Sequence, residues 1–292
     1  MPKIITIPTN AGLVSSNFTL TNTVGASVSP FTGTYRTQEY DYSYWSGDIT
    51  VRPMKRSDVV EWQSFLANLE GTTNYFQFGD PDAFTPRGTY DHTHLLADVR
   101  VDSGSNVNSA TLTFANTNSV VTSTSAIFDG LVVNDFITIS GAVNSENNGT
   151  FKVTTFTSST EIEVDAVLTD ESSTASCRVR QNTKGARALS LKATTGKSGT
   201  IKQGDYLSVQ DGSGNIKQLV MATADATVTS GSPNLYSVAI QPKLRLSVAD
   251  DSIIGFSSAS NRGLFRLVEN TVEWQANNVS LYRISFGFTE VI

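Results

Sequence analysis

Residues 57–71, SDVVEWQSFLANLEG, are the one stretch of this 292-residue chain whose apolar residues recur at helical spacing, and that limits what the rest can fold into. Val59, Trp62, Leu66 and Leu69 step by three, four and three, so they share one face of a helix. Ser57 can cap the first turn, Asp58 and Glu61 suit the positive end of the helix dipole, and Gly71 can take the left-handed conformation that ends a helix. The spacing predicts a helix over 58–70, a rod of roughly 20 Å at about 1.5 Å per residue. The segments on either side alternate like strands. A lone amphipathic helix in a β chain must bury its stripe on a sheet, so the expected class is mainly β: a split β-sandwich closed by one helix, with inserted small β-barrel or sandwich modules.

At this length more than one core is expected. Residues 1–53 read as three or four strands: IITIP, FTLTNTV, TYRTQEYDYSYW and ITVRP. The third places Tyr35, Tyr40, Tyr42, Tyr44 and Trp45 largely two residues apart, on one face; Trp45-Ser46-Gly47-Asp48 then reads as a turn, and Pro53 closes the next strand. After the helix, Tyr75-Phe76-Gln77-Phe78 forms a short strand that halts at Gly79-Asp80-Pro81, followed by a loop to about Leu96. From about Asp98 to Arg180 the composition shifts towards Ser, Thr, Asn and Val. TLTFA, FITISGA, GTFKVTTF and EIEVDAV are strand-length pieces there, and Asn147-Asn148-Gly149 signals a tight turn. The expected division is residues 1–97 as the first part of the sandwich and 98–182 as an inserted all-β module. Residues 183–292 then form a second β unit, with a small barrel over about 185–255, and return strands that complete the first domain. Val133–Ile137 and Gln203–Leu207 echo each other and read as the same Asp-bearing turn used twice.

The formal net charge of −6 argues against a broad nonspecific grip on nucleic acid, which needs a basic face. Cys177 cannot form an internal disulfide, and in the strand-like SCRVR it reads as a buried thiol. The N-terminus lacks a signal-peptide pattern, and no window approaches the ~20 apolar residues of a membrane span, so a soluble protein of a reducing compartment is expected. The two histidines, His92 and His94, lie beside Asp91. No further His or Cys cluster completes a coordination shell, and a polar loop is the expected reading. The carboxylates are scattered, and DGSGN at 211–215 lacks a phosphate-cradle pattern and reads as a hairpin turn. No catalytic residue, metal ligand or cofactor site is nominated.

Residues 45–88 carry a fuller pattern: W-S-G-D-I-T-V-R-P from Trp45, the helix with Trp62, Phe65, Leu66, Leu69 and Gly71, then Phe76-x-Phe78-Gly79-Asp80-Pro81 and Pro86-x-Gly88. This resembles the opening domain of tailed-bacteriophage distal tail and tail-hub proteins. The close, LYRISFGFTE from Leu281, is similar to the strand on which that domain returns after an insertion. GAVNSENNGTF at 141–151 is similar to small β modules of phage structural proteins. The resemblance implies a β-sandwich backed by one helix, six copies of which form a ring joining the tail tube to the tip or baseplate. Its partners would be copies of itself, the tail tube protein and the hub or tip proteins, with DNA passing through the lumen. It also implies a virion protein of the tail, assembled in the host cytoplasm, without enzymatic activity. The aromatic strand at 35–45 is expected to serve core or subunit-contact packing, and the alternative reading is a carbohydrate-binding, host-contact module that stacks those rings on sugars.

Overall fold

A computed structural model describes residues 2–9, 12–90, 99–101, 107–128, 131, 133, 136–180, 182, 184–193, 197–228, 234–249, 252–278 and 280–291. The chain is mainly β. It opens with β1 (Ile4–Ile5), β2 (Leu13–Val28) and β3 (Tyr35–Met54), followed by α1 (Arg56–Asn68) and β4 (Tyr75–Phe78). Then come β5 (Val99–Val101), β6 (Val107–Ala115), β7 (Val120–Ser123), β8 (Phe136–Ser140), β9 (Gly149–Ser158), β10 (Glu161–Val164) and β11 (Glu171–Arg180). Next are β12 (Ala188–Ala193), β13 (Gly199–Ile201), β14 (Tyr206–Gln210), β15 (Ile216–Ala222), β16 (Ala226–Val228), β17 (Asn234–Gln241) and β18 (Ile254–Gly255). The chain ends with β19 (Gly263–Leu267), β20 (Trp274–Ala276) and β21 (Tyr282–Glu290). Its contacts separate it into two compact units: residues 1–85, 216–219 and 261–292, and residues 86–215 and 220–260.

In the first unit the two ends of the chain build one sheet, in the order β1-β4-β19-β21-β3-β2, with β20 added beside β21. The pattern YRISFGFTE explains why β21 lies inside it: Ile284, Phe286, Phe288 and Glu290 alternate with less buried residues and face one core. Phe288 lies 5.0 Å from Phe265 and 5.5 Å from Phe78, ring centre to ring centre, while Phe286 meets Trp62 and Phe65 of α1. The helix thus covers the Phe286 end of the core with Val59, Trp62, Phe65 and Leu66, all buried.

Three local expectations change. The helix begins at Arg56, two residues earlier than expected: Lys55 is the capping residue and makes no side-chain cap, while the Ser57 hydroxyl donates to Asp58. Residues 35–54 form one strand, with no turn at Trp45–Asp48, and Pro53 lies within it. Gly47 is needed there for closeness. A Cβ at 47 would stand 1.7 Å from the Asn17 carbonyl oxygen and 2.8 Å from the Phe288 ring. Finally, Asn147-Asn148-Gly149 does not make a tight hairpin. Ile139 pairs with Gly149, so the intervening residues form a longer loop containing a 3-10 turn at Ser145–Asn147.

In the second unit β6–β11 close into a barrel in the order β10-β7-β6-β11-β8-β9. Its interior is aliphatic and aromatic, including Leu112, Phe114, Ile137, Val153, Ile162 and Val179. Cys177 is fully buried among them; burial, and then the nearby Glu171 charge, push its thiol pKa up, as a packing residue requires. A second core, including Leu189, Leu191, Leu207, Val220 and Val238, lies against the sheet β18-β14-β15-β17-β12-β5. The pairing of Val99–Val101 with residues 191–193 puts β5 in this second sheet, directly beside β12, so the barrel is inserted between two neighbouring strands. Asp205 fastens the segment 87–88 here: its carboxylate accepts from the amides of Arg87 (2.7 Å), Gly88 (3.2 Å) and Lys202 (2.8 Å). Of the two echoing pieces, Asn134 and Asp135 lie outside the described residues.

Glu171 organises the long loop of the barrel. Burial opposes its charge, but it accepts hydrogen bonds from the Thr174 hydroxyl, the Val143 and Asn144 amides and the Asn147 side chain. These hold its pKa at about 2, below the ordinary 4.5.

Truncation of Leu66, 1% exposed, to Ala is expected to cost about 2–5 kcal/mol in denaturant unfolding of the first unit. An unmoved midpoint would refute its place in the core. The depressed Glu171 pKa contributes stability that is complete above the ordinary carboxylate pKa and is lost as pH falls from about 4.5 towards 2. Glu171→Gln should therefore speed hydrogen exchange of the barrel amides at neutral pH, and the gap to the parent protein should close across that acid window.

Candidate interaction surface

Beyond the last residue with which β21 pairs, Ser46, the strand β3 leaves the sheet accompanied by β2 alone. Residues 20–28 and 35–44 form a two-stranded ribbon, roughly 30 Å long at about 3.3 Å per residue. Its tip is closed by bonds from the Ser29 amide to Thr34 O and from the Gly33 amide to Ser29 O, both 2.9 Å, with Gly33 at φ +66°. The stretches TNTVGASV on one side and TYRTQ on the other are exposed or half-buried, and Ser43 near the root is buried. Val24, Val28, Tyr35, Tyr40 and Tyr42 are exposed, and Phe31 at the tip is 95% exposed. Pairing continues from Asn22–Ser43 to Val24–Glu39, so Thr23 faces three residues of β3, a bulge that bends the ribbon.

The root of the ribbon is held firmly. Phe18 of β2 packs among Trp45, Phe78, Phe265 and Phe288. The Trp45 indole donates to Leu219 O at 2.9 Å, and the buried Glu290 carboxylate accepts from the Trp45 amide at 3.2 Å and the Leu219 amide at 2.9 Å. Ribbon and core are therefore joined through one carboxylate, one indole and one glycine.

The structure brings the residues of the sequence pattern together as packing and turn elements. Trp45, Trp62, Phe65, Leu66, Leu69, Phe76 and Phe78 are all buried in the first unit. Gly71 takes φ +65° after the helix, with Asn270 so close that a Cβ would meet its side-chain oxygen at 2.8 Å. Asp80 caps the 3-10 turn Pro81–Ala83 by accepting from the Asp82 amide at 3.1 Å, and Pro81 occupies its first position. Gly88, by contrast, belongs to the second unit, where a Cβ would collide with Thr200 O at 1.9 Å. The aromatic strand divides: Trp45 is core, whereas Tyr35, Tyr40 and Tyr42 face outward. Asp91, His92 and His94 lie outside the described residues. Phe31 and the outer edge of β2 carried no expectation from sequence. The available signal was the absence of any charged residue or proline in the sixteen residues of β2.

Among the described residues no helix is long and apolar enough to cross a membrane, and no group of three or more His, Cys, Asp and Glu is placed to hold a metal ion. No model of a known protein family matches the chain, and no curated protein matches it either.

Gly47→Ala is expected to detach β2 at the ribbon root, because the clash is with backbone rather than with a movable side chain. Hydrogen exchange across residues 13–28 should accelerate while the barrel amides are unchanged; equal protection in parent and variant would show that the close approach is dispensable.

Proposed function

We propose that this chain is a structural protein of a bacteriophage tail, a distal-tail or hub subunit that assembles as a ring, with six copies, between the tail tube and the tip or baseplate. The observation that carries the reading is the ribbon: a rigidly rooted, two-stranded arm with exposed aromatic and aliphatic side chains, projecting from a domain built by both chain ends. Exposed apolar surface of this kind marks sites of protein association. A head-to-tail contact between identical subunits closes into a ring when its rotation closes. The resemblance to distal tail proteins, from Trp45 to Gly88 and again from Leu281, supports the same reading; its residues up to Pro81 and from Leu281 lie in the helix-backed first unit, and Gly88 lies in the second. The tail tube and hub proteins are the proposed neighbours, DNA the passing cargo, and the host cytoplasm the place of assembly.

A second reading draws on an open cleft of about 440 Å3 in the first unit, lined in part by Thr50, Glu273, Gln275 and Arg283. Carboxylate, amide and guanidinium groups side by side suit sugar hydroxyls; the exposed tyrosines of the ribbon lie outside the cleft and would be a separate stacking surface. A glycan array with the full chain tests it.

For the tail reading, a reconstruction of the intact virion should show this chain in a ring around the tail axis. Its placement in the capsid or in peripheral fibres would overturn the proposal.

A further inference from the structure

We infer that the free outer edge of β2 is the seat for a second copy of this chain, whose own ribbon pairs along it through the outer edge of β3. The inference rests on the ring reading for the rotational relation between copies and deepens it by naming the surfaces.

Backbone amides and carbonyls on the edge of a sheet are a template for another strand, and proteins that must stay apart blunt such edges with charge, proline or brevity. β2 has none of these defences. It is sixteen residues long, LVSSNFTLTNTVGASV, with neither a charged residue nor a proline, and among the described residues no strand pairs its outer side. The opposite edge of the same sheet is built differently: β1 is two residues long. The long edge is therefore the one left open to a partner.

The ribbon itself offers the matching surface. Over residues 35–42 no strand among the described residues pairs with the side of β3 away from β2, since β21 reaches no further than Ser46. The two edges, residues 20–28 and 35–42, are nearly equal in length and run antiparallel to each other within one ribbon. If ribbons of successive copies stand side by side and point the same way, the β3 edge of one runs antiparallel to the β2 edge of the next. Copies related by rotation about an axis parallel to the ribbons have this arrangement, and every junction is the same. A β2 edge meeting another β2 edge antiparallel would instead need ribbons pointing in opposite directions. With no charge on β2, the neighbouring strand meets no like charge there, and Val24, Val28, Tyr35, Tyr40 and Tyr42 gain cover from the adjoining ribbon.

The test uses the full chain with single cysteines on the ribbon, Ala26→Cys in β2 and Thr37→Cys in β3, at positions that are exposed in one copy and lie opposite each other within a ribbon. The native Cys177 is buried and stays out of the reaction. Each variant alone, and an equal mixture of the two, is concentrated and oxidised. Mixed disulfide dimers in excess over either homodimer are expected, and Val24→Lys with Val28→Lys should abolish them while leaving the circular dichroism spectrum unchanged. Ala26→Cys homodimers as the main product would overturn the inference in favour of a two-fold contact. A chain that stays monomeric and uncrosslinked up to its solubility limit would also overturn it. Rings around the tail axis without mixed cross-links would leave the tail reading standing and remove this one. Mixed cross-links from a protein found in fibres would do the reverse.

Discussion

Burial of the aromatic face of β21 is the constraint on which the first unit depends. Phe286 and Phe288 present large rings on one side of a strand at the very end of the chain, and neither can be covered by its immediate neighbours in sequence. The cover arrives from the start of the chain: Trp62 and Phe65 from α1, Phe76 and Phe78 from β4, and Phe18 from β2. Such a core closes only when residues some two hundred positions apart meet, and this is why a sandwich can tolerate a long excursion between its halves. Glu290 adds direction to that closure. A buried carboxylate must be hydrogen-bonded, and the Trp45 and Leu219 amides that satisfy it fix where β3 sits beside β21.

That same closure leaves the ribbon outside. β3 has twenty residues and β21 nine, so part of β3 must extend past the sheet with β2 as its companion. Within the sheet the β2–β3 pair is backed by the aromatic core, whereas beyond it Val24, Val28, Tyr35, Tyr40 and Tyr42 are exposed. The structure thus concentrates exposed apolar surface and unpaired backbone in one place, and does so with a strand that lacks the usual charged defences.

The barrel is a separate solution to a separate problem. Its core is largely aliphatic, and its longest loop is shaped by side chains rather than by turn geometry: Asn148 donates back to the Ala142 and Asn144 carbonyls, Asn147 donates to the Thr169 carbonyl, and Glu171 gathers the amides at 143 and 144. Because β5 and β12 are neighbours, the chain enters and leaves the barrel from adjacent strands, a geometry that leaves the second sheet continuous.

Much of this was legible in the chain alone. The three-four-three spacing of Val59, Trp62, Leu66 and Leu69 determined a helix with one buried face, alternation determined a mainly β protein around it, and SCRVR determined a buried thiol, because local periodicity dictates which side chains can share a face. Sequence could not tell what Gly47 was for. Beside Trp45 and Ser46 it has the composition of a turn, and only the approach of the Asn17 carbonyl shows a glycine kept for closeness in mid-strand. Ser57 has the chemistry of a cap, yet the helix starts at Arg56 because tertiary packing sets where the strand before it stops. The division of Tyr35–Trp45 into an outward half and a buried half was likewise decided by how far β21 reaches along β3, a length set by pairing between the two ends of the chain and written in neither strand alone.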